Sequence, residues 1–180
     1  DEAERFADRA ARISEYREAA AAWARVAASE GADPRYALAL ADLELTDGNP
    51  AAALQWADRA EVLGADPDRV RCLRAESLYA TKDLAGGDRE LASLARPDGP
   101  WFELARSRGF LARDDRERAL RALDSARDQA PADRVVLRRL GDLYRSIDRP
   151  ADADACRRRA VTVEFAVPLR AAMAMASDDP

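Results

Sequence analysis

The chain contains 180 residues, of which 48% are hydrophobic although only 6% are aromatic. Alanine supplies 42 residues, whereas valine and isoleucine number only eight and two. Alanine favours helices and lets them pack closely, so the composition predicts an all-α protein and leaves little material for a sheet. The formal net charge of −5 disfavours nucleic-acid binding as a main activity.

Side chains that carry most enzyme chemistry are scarce. The sequence has no histidine, which excludes Ser-His-Asp and Cys-His arrangements and two-histidine metal sites. Its two cysteines, Cys72 and Cys156, are too far apart in sequence for a zinc-ligand spacing. No phosphate-binding glycine motif occurs, and no apolar run approaches the ~20 residues that span a bilayer. We therefore expect no catalysis, no cofactor, no metal, no nucleic acid and no direct membrane insertion.

Small residues recur at a nearly constant spacing along the chain. In the first helix of each predicted unit they are Ala7, Ala41, Ala75, Ser107 and Gly141. In the second helix the same spacing gives Ala19, Ala53, Gly87, Ala119 and Ala153. A third series is Val26, Ala60, Leu94, Ala126 and Ala160. All three series have steps of 34, 34, 32 and 34 residues, which predicts tandem repeats with one two-residue deletion.

Each unit is predicted to be two helices joined by a short turn. In chain order the units cover about residues 1–33, 34–67, 68–99, 100–133 and 134–166. Helix starts are indicated by Asp33-Pro34, Asn49-Pro50 and Asp66-Pro67, because an aspartate or asparagine can cap a helix whose first turn accepts proline. Gly48 fits a helix stop. Residues 167–180 are predicted to form a capping helix and tail, with a self-association surface or a join to further repeats as alternatives.

Several units share a pattern of large and small residues. The fifth unit shows it most clearly, with Leu140-Gly141, Tyr144, Pro150, Ala153 and Ala160. The other matches are Phe110, Ala119, Ala126 and Pro131 in the fourth unit, Leu40-Ala41, Ala53 and Ala60 in the second, and Tyr16, Ala19 and Trp23 in the first. This pattern resembles the tetratricopeptide repeat. The resemblance implies five repeats over residues 1–165 that stack as antiparallel helix pairs in a right-handed superhelical solenoid.

In tetratricopeptide arrays the first helices line a concave groove, which usually binds a peptide or a partner protein. The resemblance therefore implies a groove at the matching positions. These are Leu38, Asp42, Leu45, Glu76, Tyr79, Trp101, Leu104, Arg108, Leu111, Arg138, Asp142 and Arg145. With Glu4 and Asp8 from the first unit, acidic residues gather towards one end and arginines towards the other. This gradient predicts a ligand with basic residues, an apolar anchor and a carboxylate, in that order.

Three functional hypotheses fit the sequence. The first is a non-catalytic scaffold that binds a peptide or partner protein in the groove. The second is a structural or self-associating module of a larger assembly, for example in an envelope or secretion system. The third is a regulatory appendage of an enzyme domain outside these residues. The two distant cysteines give no disulfide pattern, which favours the cytoplasm. Because the first residue is Asp1 rather than Met, a periplasmic location after removal of a signal stays open.

Overall fold

A computed structural model describes residues 24, 27, 28 and 31–162 of the chain. Between residues 31 and 162 it contains eight helices and no strand, which confirms the predicted all-α class for this part. The helices are α1 Pro34–Thr46, α2 Pro50–Val62, α3 Pro67–Ala80, α4 Leu84–Ala92, α5 Pro100–Ala112, α6 Arg116–Gln129, α7 Arg134–Ser146 and α8 at residues 150–162. Most of the first predicted unit and the predicted cap at 167–180 lie outside the described residues.

Aspartate, proline and glycine set the ends of several helices. The side chains of Asp33 and Asp66 each accept a hydrogen bond from a backbone N–H two residues ahead, and a proline follows each aspartate. Asn49 also precedes a helix, but its side chain makes no capping bond and instead donates to Glu44 Oε2 at 3.1 Å. Gly48 lies just after α1 at φ +80°, in the left-handed region that favours glycine.

The helices pack in consecutive pairs. α1 packs against α2, α3 against α4 and α5 against α6, and the short turns within these pairs make the two helices antiparallel. The second helix of each of these pairs also contacts the first helix of the next. In addition, α1, α3, α5 and α7 contact one another in that order. The first helices therefore form a continuous row, as in a helical repeat array.

The small residues of the predicted repeat lie where the helices meet. The described members of the first two series are all buried: Ala41, Ala75, Ser107, Gly141, Ala53, Gly87, Ala119 and Ala153. At Gly141 an added Cβ would stand 3.3 Å from the backbone oxygen of Ala153 on the paired helix. Small side chains are thus required for this close approach. The described members of the third series, from Ala60 onward, are also buried except Leu94, which is half-buried and follows the end of α4.

The α3–α4 pair, which belongs to the third predicted unit, replaces the usual small-on-small contact with an aromatic ring. Tyr79 on α3 is only 2% exposed, and its hydroxyl donates a hydrogen bond to Asp88 at 2.8 Å. A Cβ added to Gly87 on α4 would lie 2.4 Å from the Tyr79 ring, and one added to Gly109 on α5 would lie 2.9 Å from it. Two glycines therefore make room for one buried tyrosine. This role explains why the third unit departs from alanine at Gly87.

Substituting Gly87→Ala should destabilise the protein by about 1–3 kcal/mol, because the new methyl group overlaps a buried ring that its hydrogen bond holds in place. Without that overlap, alanine would stabilise a helix by about 1 kcal/mol relative to glycine. Urea unfolding followed by circular dichroism measures the change.

The matched control is the same substitution in a Tyr79→Leu background, where the ring is gone. There, Gly87→Ala should be neutral or stabilising. An equal loss in both backgrounds would contradict the packing role assigned to Tyr79.

Candidate functional site

All twelve predicted groove residues lie on the first helices of their pairs, α1, α3, α5 and α7. Their accessibility differs widely. Asp42, Leu45, Glu76, Tyr79 and Leu104 are buried, with Leu104 in the same hydrophobic cluster as Leu137 and Leu140. Leu38, Trp101, Arg108, Leu111 and Asp142 are half-buried, and Arg138 and Arg145 are exposed. The accessible part of the predicted groove is therefore smaller than the sequence pattern indicates.

A network of buried charges connects three of these helices. Arg139 on α7 is 4% exposed and forms an ion pair with Glu76 on α3, which is fully buried. Its second guanidinium nitrogen donates to the backbone carbonyl of Asp42 on α1 at 3.1 Å. Arg69 on α3 donates to the Asp42 carboxylate at 2.5 Å. One arginine thus links α7 to α3 and α1, which belong to different helix pairs.

The carboxylates determine how Arg139 titrates. Burial by itself lowers the pKa of an arginine, but the Glu76 and Asp42 carboxylates outweigh it and raise the pKa of Arg139. Arg108, on α5, faces the same network without an ion pair among the described residues. Burial lowers the pKa of Arg108, with Glu76 opposing the shift and the positive charge of Arg139 adding to it. Both side chains remain cationic at neutral pH, because arginine titrates far above that range.

An aromatic ring fixes the orientation of Arg69. The Arg69 guanidinium lies 3.4 Å from the centroid of the Trp101 ring, which is close enough for a cation–π interaction. Arg69 is 9% exposed, and its Nη1 has no hydrogen-bond partner among the described residues. The Oδ1 atom of Asp42 also lacks a hydrogen bond there, although Arg139 Nη1 lies 3.9 Å away. One buried donor, Arg69 Nη1, and one buried acceptor, Asp42 Oδ1, thus make no hydrogen bond within the described residues.

A cavity of about 320 Å³ lies between α1 and α7 and reaches down to Arg69 and Trp101. We call it the α1–α7 cavity. It is lined by Arg35, Leu38, Ala39, Asp42, Leu43, Thr46, Arg69, Trp101, Arg134, Val135, Arg138 and Arg139. The lining includes five arginines and one carboxylate, together with a set of apolar side chains. Arg35 pairs with the half-buried Asp33 at 2.6 Å, and Arg134 and Arg138 also have interaction partners.

The cavity includes only part of the predicted groove. Leu38, Asp42, Trp101 and Arg138 line it. Among the others, Asp142 accepts a hydrogen bond from Arg157 at 3.1 Å, and Arg145 lies 3.6 Å from Asp154. Leu111 packs against the hydrophobic cluster formed by α5 to α8. These residues therefore make intramolecular contacts outside the cavity.

Sequence reasoning missed Arg35, Arg69, Val135 and Arg139 as cavity residues. The repeat spacing could have found the first three, because positions 35, 69, 101 and 135 are equivalent and Trp101 was already a candidate. Arg139 falls at a position that the earlier units fill with Ala39, Leu73 and Ala105. A charge at an otherwise apolar position indicates a buried ion pair.

The charge gradient predicted for the groove is not available to a ligand in the folded chain. Asp42 and Glu76, which were expected to face a basic ligand segment, pair with Arg69 and Arg139 instead. The opposite charges therefore largely neutralise one another across the row of first helices. The lining that remains accessible is cationic and apolar rather than acidic at one end.

Other kinds of site find little support in the described part of the chain. Cys72 and Cys156 are buried and unpaired, and burial raises the pKa of the Cys72 thiol to about 12. Between residues 31 and 162 no three potential metal-ligating side chains come together. None of the helices in the described segments is both long and apolar enough to cross a membrane.

Trp56 is half-buried and packs against the hydrophobic cluster formed by α1 to α3.

The described residues form an all-α, helical-repeat-like fold with a cationic, partly apolar cavity on its row of first helices. Comparison of the chain with protein-family models, with curated proteins and with solved structures finds no match.

Replacing Arg139→Leu should lower the free energy of unfolding by about 3–5 kcal/mol, because Glu76 is left buried without its partner. Chemical unfolding measures the loss. Arg121→Leu is the control, since it removes only an exposed pair with Glu117 and should have little effect.

The double variant Glu76→Leu/Arg139→Leu should recover much of the lost stability, since no unpaired charge then remains inside. If Arg139→Leu costs no more than Arg121→Leu, the network does not hold the helices together. If the double variant is less stable than Arg139→Leu, desolvation is not the cause of the loss.

Both cysteines should be unreactive towards a thiol-specific disulfide reagent at about pH 8 in the folded protein, because the thiols are buried and burial raises the pKa of each. Reaction should become complete after unfolding in urea. Rapid reaction of the folded protein would place a thiol at the surface and contradict the described packing.

Proposed function

We propose that this chain is a tetratricopeptide-like scaffold without catalytic activity that binds a peptide or a partner protein on its row of first helices. The observation that carries the proposal is the α1–α7 cavity, to which α1, α3, α5 and α7 all contribute side chains. A right-handed superhelix of antiparallel pairs is part of the same proposal. Paired helices at near-regular intervals and buried small residues at the repeat positions support it.

The accessible chemistry of the cavity suits a protein ligand. Val135 is 42% exposed at the rim, and Leu38 and Trp101 offer half-buried apolar surface beside it. Aromatic and arginine side chains that lie around a partly desolvated pocket are typical of the centres of protein interfaces. The buried network below holds Arg69 in a fixed orientation. A preorganised surface loses less entropy when a partner binds.

Self-association is the second candidate function. Val62 at the end of α2 is 76% exposed, and Val161 on α8 is 50% exposed. Both lie on second helices, away from the α1–α7 cavity. Apolar side chains on that side would support contacts between copies of the chain or with a larger assembly.

Affinity capture from a lysate of the source organism tests the proposal, with a Val135→Glu bait beside the wild-type bait. Val135→Glu should lose the specific partner, because it places a charge at the rim of the cavity. Val62→Glu is the matched control, because it makes the same substitution at an exposed valine that lies outside the cavity. Circular dichroism checks that all baits have the same helicity.

Loss of one partner with Val135→Glu and its retention with Val62→Glu would support binding at the cavity. The reverse pattern, or capture of the chain itself that only Val62→Glu reduces, would favour self-association through the second helices. If both variants retain every partner, the row of first helices is not the binding surface.

A further inference from the structure

We infer that the α1–α7 cavity binds an acidic, apolar segment of a peptide, with a carboxylate directed at Arg69 and Arg35 and an apolar side chain against Leu38 and Val135. This inference rests on the proposed function and assigns the class of ligand. It differs from the bipolar ligand that the sequence gradient predicts, because the acidic residues of that gradient are paired inside the protein.

Charge favours an anionic ligand. The lining contains one carboxylate, that of Asp42, which Arg69 and Arg139 contact, together with the exposed arginines Arg35, Arg134 and Arg138. Arg139 is committed to Glu76, and Arg134 and Arg138 have partners of their own. Arg69 and Arg35 are therefore the groups we assign to the ligand. The Arg35 side chain is 86% exposed, so its pair with Asp33 can exchange at little cost for a ligand carboxylate.

Unused hydrogen-bonding capacity favours a peptide over a simple anion. Arg69 Nη1 is a buried donor with no acceptor, and Asp42 Oδ1 is a buried acceptor with no donor hydrogen-bonded to it. A fully deprotonated inorganic anion such as sulfate offers acceptors only. A peptide segment offers a carboxylate or carbonyl acceptor and a backbone N–H donor close together. It can therefore serve both groups, and the Trp101 ring already holds the Arg69 plane in place.

Size and apolar lining limit the ligand to a short segment. A cavity of about 320 Å³ lies at the lower end of the range for ligand pockets, and it accommodates one or two side chains. Leu38, Ala39, Leu43 and Val135 provide the apolar part of the lining. An acidic residue followed or preceded by an apolar one matches this division. A long run of acidic residues would leave the apolar wall uncovered.

Fluorescence anisotropy with four labelled, N-acetylated nonapeptides tests the inference. Three of them carry leucine at alternate positions, with glutamate, glutamine or lysine between, and the fourth has glutamate alternating with serine. The glutamate–leucine peptide should bind at least about tenfold more tightly than each of the others. Its affinity should fall when NaCl is raised from about 50 mM to about 300 mM.

Arg35→Glu should weaken binding of the glutamate–leucine peptide at least about fivefold, because it reverses one charge at the cavity. The matched control is Arg116→Glu. Arg116 is likewise an exposed first-turn arginine with one surface ion pair, to Asp148, but it lies on α6 outside the cavity. Neither substitution removes a buried group, so both variants should fold. Arg116→Glu should bind the peptide within about twofold of wild type.

Equal binding of the glutamate and glutamine peptides, or equal weakening by Arg35→Glu and Arg116→Glu, would overturn the assignment of an acidic ligand. If Val135→Glu still abolished binding of those peptides, the proposed function would stand without that assignment. Equal binding of the glutamate–serine peptide would overturn the apolar part. Failure of all four peptides to bind at about 1 mM would overturn the inference, while the capture experiment with Val135→Glu and Val62→Glu would still decide the proposed function.

Discussion

Close approach of helix axes is the constraint on which the structure depends. A chain rich in alanine and poor in aromatic residues cannot fill wide gaps between helices, so stability requires the helices to lie near one another. The buried alanines, Ser107 and Gly141 along the repeat make this possible, and the stack of pairs follows from it. Where the α3–α4 pair carries a large ring, Tyr79, the facing helices compensate with Gly87 and Gly109. The need to match side-chain volumes across facing helices thus explains both the units with alanine at these positions and the unit with Tyr79 and Gly87.

Charge is organised by a second constraint, the cost of removing ions from water. Arg139 and Glu76 are almost completely enclosed, and each is tolerated because the other is present. Arg69 occupies an intermediate position, with one face on Trp101, one nitrogen on Asp42 and one nitrogen unused. The interior network therefore orients a cationic group at the base of the cavity. A loose surface arginine would have to give up side-chain entropy to do the same.

The sequence predicts the helix pairs and the residues that lie on each first helix. The signals are local: they are the repeat spacing and the capping residues, such as Asp33 and Asp66, that mark where helices begin. The size and chemistry of the site could not be predicted in this way. Asp42 and Arg139 are separated by most of the described chain, and no local pattern shows that they meet. Tyr79 was expected at a ligand surface because it occupies a groove position, but the space opposite it depends on two glycines in other helices. Burial at such positions depends on side-chain volumes in several units at once.

The contact between Arg139 and Asp42 also affects how the array unfolds. Stacked repeats that contact only their neighbours behave as a one-dimensional chain, in which terminal units can open while the middle remains folded. Here a hydrogen bond spans 97 residues and joins α1 to α7. Opening the α7 end removes a partner from α1, and opening the α1 end removes one from α7. The two ends of the described array are therefore thermodynamically coupled, which favours a single cooperative transition over stepwise fraying.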